Sequence, residues 1–192
     1  AVFMQLKKLD DAIEEFQKAV AHPAMARHFA CHFWLARCLL VKERHREAIT
    51  ALNAAVAANP DFVPARLILA STHLQLAYPD GAIEALTDAL KAAPDNAEVL
   101  RLLGVAYLHK GDPVKAKVYF DRMLKLDPES ARANQILAGI SLSEGKVDEA
   151  IELCLKALEA EPENIDILFL LGLAYLQKGK LDGAQAQFQR VL

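Results

Sequence analysis

Residues 97–130 read AEVLRLLGVAYLHKGDPVKAKVYFDRMLKLDPES. Leu100, Leu103, Gly104 and Tyr107 fall at i, i+3, i+4 and i+7, the spacing that lines one face of a helix. Gly111 then supplies a stop, because glycine tolerates the positive φ that closes a helix. Asp112 can cap a following helix, with Pro113 at its first turn. Ala116, Phe120 and Met123 make a second apolar stripe, and Pro128 ends it. Proline cannot donate its own N–H and disfavours helix in the residue before it. The stretch predicts two helices, over roughly positions 2–14 and 18–31 of a thirty-four-residue unit.

The same unit recurs in both directions. Pro60, Pro94, Pro128 and Pro162 are evenly spaced, and Ala48, Ala82, Ala116, Ala150 and Ala184 keep the same step. So do Leu35, Leu69, Leu103, Leu137 and Leu171. With position 1 at Phe29, Val63, Ala97, Ala131 and Ile165, the expected complete units are 29–62, 63–96, 97–130 and 131–164, and 165–192 is a truncated one. Residues 1–28 read as the second half of an earlier unit, offset by two extra residues around His22-Pro23. The start, Ala1 to Lys8, reads as helix interior, so a longer parent chain is expected. Position 8 is always Ala or Gly and position 20 is always Ala, which lets neighbouring helices approach closely. One pair cannot bury its stripes alone, whereas stacked pairs bury a continuous core. The expectation is a single all-α domain.

Leu100-x-x-Leu103-Gly104-x-x-Tyr107, then Ala116-x-x-x-Phe120 and Pro128, resembles the tetratricopeptide repeat, and Leu168, Leu171, Gly172, Tyr175, Ala184 and Phe188 repeat the pattern. The resemblance implies a right-handed α-solenoid of antiparallel helix pairs, the tetratricopeptide superhelix. Departures are modest. His32, Arg66, Leu100, Asn134 and Leu168 stand at position 4, where the family carries an aromatic, and are expected to loosen local packing. Cys154 stands where the pattern has Phe, and Met123 where it has Ala.

By the same resemblance, the first helices line a concave face that binds partners. The implied groove residues are Phe33, Arg37, Leu40, Leu67, Ser71, Leu74 and Gln75, then Arg101, Val105, Leu108 and His109. Arg132, Gln135, Leu142, Phe169, Leu173 and Leu176 continue the set. Position 12 is always leucine, which either packs between adjacent first helices or offers a groove for an amphipathic helix or extended apolar peptide. Gly139 would leave a notch in that face. The polar clamp that grips chaperone tails is not expected. Position 6 is apolar throughout (Trp34, Ile68, Leu102, Ile136, Leu170), and no Asn holds position 9.

Charge and composition exclude several classes. A net charge of −3 provides no field for nucleic acid, and no apolar run is long enough for membrane insertion. Acidity concentrates in 131–164, where Glu149, Glu152 and Glu159 fit a solvated second-helix face. Cys31 and Cys38 share a helix at about 10 Å, too far apart for a disulfide. With Cys154 they read as small buried apolar residues. His28, Cys31 and His32 have metal-like spacing but no completing ligand. His73 reads as a buried or half-buried substitute for Tyr. No catalytic residue, metal site or cofactor is expected. The reading is a protein-binding scaffold, with a protein or peptide partner and a bacterial cytoplasmic or periplasmic setting. The alternatives are a self-assembly module forming homo-oligomers through its repeat ends, and the non-catalytic arm of a larger enzyme.

Overall fold

The computed structural model describes the backbone of residues 2–192 and the side chains of residues 8–192. Among the described residues there are helices and no strands. The helices are α1 (Val2–Ala21), α2 (Phe29–Val41), α3 (His45–Ala58), α4 (Val63–Gln75), α5 (Pro79–Ala92) and α6 (Ala97–His109). They continue as α7 (Pro113–Leu126), α8 (Ala131–Ser143), α9 (Val147–Ala160), α10 (Ile165–Gln177) and α11 (Leu181–Val191). Each helix of a pair begins and ends about one residue earlier than the pattern predicted. Pro113 shows why: its preset φ suits the opening residue of a helix, and α7 starts on it. The fold is an all-α helical repeat of solenoid type.

The chain divides into two compact units, residues 1–102 and 103–192. In the first, α1 packs on α2, α2 on α3, α3 on α4 and α4 on α5. In the second, α7 packs on α8, α8 on α9, α9 on α10 and α10 on α11, with a lighter contact between α8 and α10. Such neighbour-to-neighbour packing is what stacked repeats produce.

The turn inside each helix pair is built by one device. Its middle residue takes a left-handed conformation: Glu43 at φ 57°, Ala77 at 54°, Gly111 at 78°, Gly145 at 75° and Gly179 at 77°. The next N–H then donates back five residues, as from Asp112 to the Tyr107 carbonyl at 2.8 Å and Lys146 to Ser141 at 2.8 Å. Arg44 to Leu39 and Tyr78 to His73, both 2.9 Å, close the turns that lack glycine. This Schellman arrangement satisfies carbonyls that a helix end leaves orphaned. Asp112 also caps α7, accepting from the Lys115 N–H at 3.0 Å.

Core packing couples position 8 to position 24. A Cβ on Gly104 would lie 2.5 Å from the Phe120 ring, and one on Gly172 would collide with Phe188. Where position 8 is alanine, its counterpart is smaller: Ala36 with Leu52, Ala70 with Leu86, Ala138 with Cys154, all fully buried. The Gly–Phe and Ala–Leu pairs keep a similar summed size while its division varies, as close packing demands, and the Ala138–Cys154 pair is smaller. The position 20 alanines are buried in all five pairs.

The position 4 residues tighten the structure, contrary to the expectation from sequence. Arg66 is buried, donating to the Pro60 carbonyl at 2.9 Å and pairing with Asp88 at 3.1 Å. Asn134 is also buried and donates to the Pro128 carbonyl at 3.3 Å and to Ser130 at 3.1 Å. His32 meets the Ala26 carbonyl at 2.8 Å through Nε2, which donates in the tautomer protonated there. Each polar side chain reaches six residues back, satisfying a turn carbonyl between pairs. Leu168 cannot, and Arg190 donates to the corresponding Pro162 carbonyl at 2.8 Å instead.

Candidate functional site

The first helices carry the expected binding residues, and each compact unit presents its own set. In residues 1–102, Phe33 is buried, its ring edge against Phe62 at 5.0 Å, so it forms wall and not free surface. This corrects its reading as a contact residue. The neighbouring Trp34 is 46% exposed and carries the Arg37 guanidinium at 4.5 Å from its ring. Leu40, Leu67, Ser71 and Leu74 are half-buried, and Gln75 is exposed. Ser71 turns its hydroxyl onto the Ile68 carbonyl at 3.0 Å. Arg101 is held by Glu98 through two bonds of 2.7 and 2.6 Å, so its charge is already answered.

His73 is half-buried with its ring edge-on to Tyr78 at 5.3 Å. Burial holds its pKa below the ordinary value, with the Glu84 carboxylate opposing weakly. A polar cleft between α2 and α4, lined by Glu43, His45, Thr72 and Gln75, lies beside this region.

In residues 103–192, Val105, Leu108, Gln135 and Leu142 are half-buried, while His109 and Arg132 are exposed. Leu142 packs against the core cluster around Cys154, so part of the leucine at position 12 is structural. On α10, Phe169, Leu173 and Leu176 are 49%, 37% and 45% exposed. Between α8 and α10 lies a cleft of about 520 Å³ lined by Arg132, Gln135, Ile136, Phe169, Leu170 and Leu173. Asp166 lines it as well. Its walls are mostly apolar, so it suits apolar side chains and offers few groups for chemistry.

The second helices carry much of the charge pairing. Glu149 pairs with Lys117 at 3.0 Å, which lowers its pKa, and Asp148 pairs with Lys178. Glu152 and Glu159 are exposed. Of the cysteines, Cys154 is buried and its thiol is pushed up to about 12 by desolvation. Cys31 and Cys38 are only half-buried, less than the sequence suggested. Their helix, α2, packs against α1 and α3. Among the described residues, no group of three His, Cys, Asp or Glu side chains could hold a metal ion. No described helix is long and apolar enough to cross a membrane.

Residues 16–192 match the family model described as the tetratricopeptide repeat protein 21 N-terminal ARM repeat. Among solved structures, a MamA protein aligns with a TM-score of 0.79 at 27% identity, covering 88% of this chain and 92% of that one. A tetratricopeptide repeat protein from Parabacteroides merdae aligns at 0.82 and 21% identity, over 98% of this chain and 74% of that one. YrrB, described as a TPR protein with an unusual peptide-binding site, aligns at 0.74 and 19% identity, over 93% and 91%. A sequence search of curated proteins gives no match.

Proposed function

This chain belongs to the tetratricopeptide repeat protein 21 N-terminal ARM repeat family, and from that premise we propose that it is a non-catalytic scaffold whose first-helix face holds a peptide or amphipathic helix of a partner protein. That the chain is a protein-interaction repeat follows from its family. The finer reading rests on one observation: the mostly apolar cleft between α8 and α10, walled by Ile136, Phe169, Leu170 and Leu173. Apolar surface in a cleft is water-exposed area that a partner side chain can cover, at roughly 25 cal/mol per Å². The first-helix residues of the other unit, Leu40, Leu67 and Leu74, keep similar apolar surface in reach of solvent.

The test is a random peptide display library panned on the whole chain, followed by affinity measurement of the enriched peptides. Phe169→Glu and Leu173→Glu place a charge in the cleft wall at exposed positions. Both should keep full helicity and lose at least about tenfold in affinity, roughly 1.4 kcal/mol. Unchanged affinity in both would remove this face from consideration. Light scattering of the unliganded chain reads the homo-oligomer alternative directly.

A further inference from the structure

Two residues of α8 contradict the helix they sit in. Gly139 is in the middle of the helix, where glycine is less favourable than alanine. Core packing does not require it, because a Cβ built on Gly139 meets nothing within 4 Å. Gly104 and Gly172, by contrast, are each made necessary by a phenylalanine ring. Arg132 stands in the first turn of α8, which contains no acidic residue. A cation there opposes the helix dipole, which favours negative charge at that end. Arg132 is exposed, and among the described residues no carboxylate pairs with it. Asp166 lines the same cleft without forming an ion pair to it, and its own place in the first turn of α10 is favourable there.

The two exceptions are seven residues apart, so they share one face of α8, separated by about 10 Å along the axis. Between them lie Gln135 and Ile136 of the same helix, opposite Leu170 and Leu173. Local rules broken together on one surface mark a place where another requirement dominates. Charge complementarity defines it: the open guanidinium calls for a carboxylate, and the open notch calls for a bulky side chain.

We propose that Arg132 and Gly139 determine which partner the α8–α10 face accepts, selecting a protein segment with an acidic side chain and a bulky apolar side chain about 10 Å apart. The carboxylate pairs with Arg132, and the apolar group seats in the open space over Gly139. This rests on the first-helix face being the binding face. In a helical segment the two side chains would be seven residues apart, and in an extended one, where only alternate residues face the same way, two or four.

The probe is the set of peptides enriched from the random library on the unmodified chain, with affinities read by fluorescence anisotropy. The enriched peptides should pair Asp or Glu with Phe, Leu, Met or Trp at one of those spacings. Gly139→Leu, which fills open space, and Arg132→Ala should each weaken binding about tenfold or more. Gly139→Ala should raise the melting temperature while costing only a few-fold in affinity, which separates binding from folding. Affinity within twofold for Gly139→Leu, or binders lacking any acidic residue, would overturn the proposal. If Leu173→Glu abolishes binding while Gly139→Leu does not, the face is correct and the notch is wrong. If no peptide is enriched, both readings fall.

Discussion

Exchanging the partners of one buried pair tests the packing rule that builds the whole repeat. In the second unit Gly104 faces Phe120, and in the first Ala36 faces Leu52 and Ala70 faces Leu86. Gly104→Ala puts a Cβ 2.5 and 2.6 Å from Phe120 Cε2 and Cζ. Comfortable carbon contacts are about 3.5–4.0 Å, so the ring must retreat about 1 Å within a core where it is fully buried. Overpacking of that kind costs about 1–3 kcal/mol. The better helix preference of alanine returns up to about 1 kcal/mol. The net expectation is a loss of about 1 kcal/mol. Phe120→Leu alone leaves a void beside Gly104 and costs about 1–2 kcal/mol, below the range for Phe→Ala. The double variant recreates the Ala–Leu pairing of the other unit and should be more stable than the two single losses predict. A coupling of about 1–2 kcal/mol is expected. Urea unfolding followed by circular dichroism measures it, with amide exchange of α6 and α7 confirming that the change is local, since repeat arrays can open in parts. Losses that add to within about 0.5 kcal/mol would refute the size-compensation argument.

Other outcomes follow from the turns, the buried polar groups and the thiols. Ala77→Gly should raise stability by about 1 kcal/mol by relieving a non-glycine left-handed residue, and Gly111→Ala should lower it by a similar amount, both read from denaturant midpoints. Arg66→Ala should destabilise by about 1–3 kcal/mol because it removes a buried side chain together with its bond to the Pro60 carbonyl and its pairing with Asp88. Arg66→Leu should cost less, since Leu100 and Leu168 fill the same position elsewhere. The Cys154 thiol, held near 12 in the fold against an ordinary 9, should resist alkylation at pH 8 until the chain unfolds, whereas half-buried Cys31 and Cys38 react first. Because the unfolded thiol ionises first, its contribution to stability is intact below pH 9 and declines as pH rises from there toward 12.

The helix pairs were legible because their punctuation is covalent and local. Gly111 and Pro113 act through their own φ, and Ala116 acts through a missing side chain, so each leaves a mark at a fixed step. The same step runs back from Gly111 to Ala77 and Glu43, which take left-handed turns although neither is glycine. Arg66 and Asn134 were misread because their partners are backbone carbonyls, which leave no trace in a side-chain pattern. The available signal was that every non-leucine residue at position 4 can donate a hydrogen bond. Phe33 was misread for a related reason: Phe62, at the end of the same unit, packs edge-on against its ring. The binding face itself was legible only as a list of positions. That Arg101 is engaged by Glu98 while Arg132 is open depends on side-chain placement, and only the structure separates them.

Mapping an enriched peptide onto the labelled chain by methyl and amide NMR tests the central claim most directly. The account predicts shifts concentrated at Gln135, Gly139 and Leu142 of α8 and at Phe169 and Leu173 of α10, with the outward residues of α9, such as Glu152 and Glu159, unmoved. Shifts centred on the α9 surface, with the α8–α10 face unchanged, would contradict it.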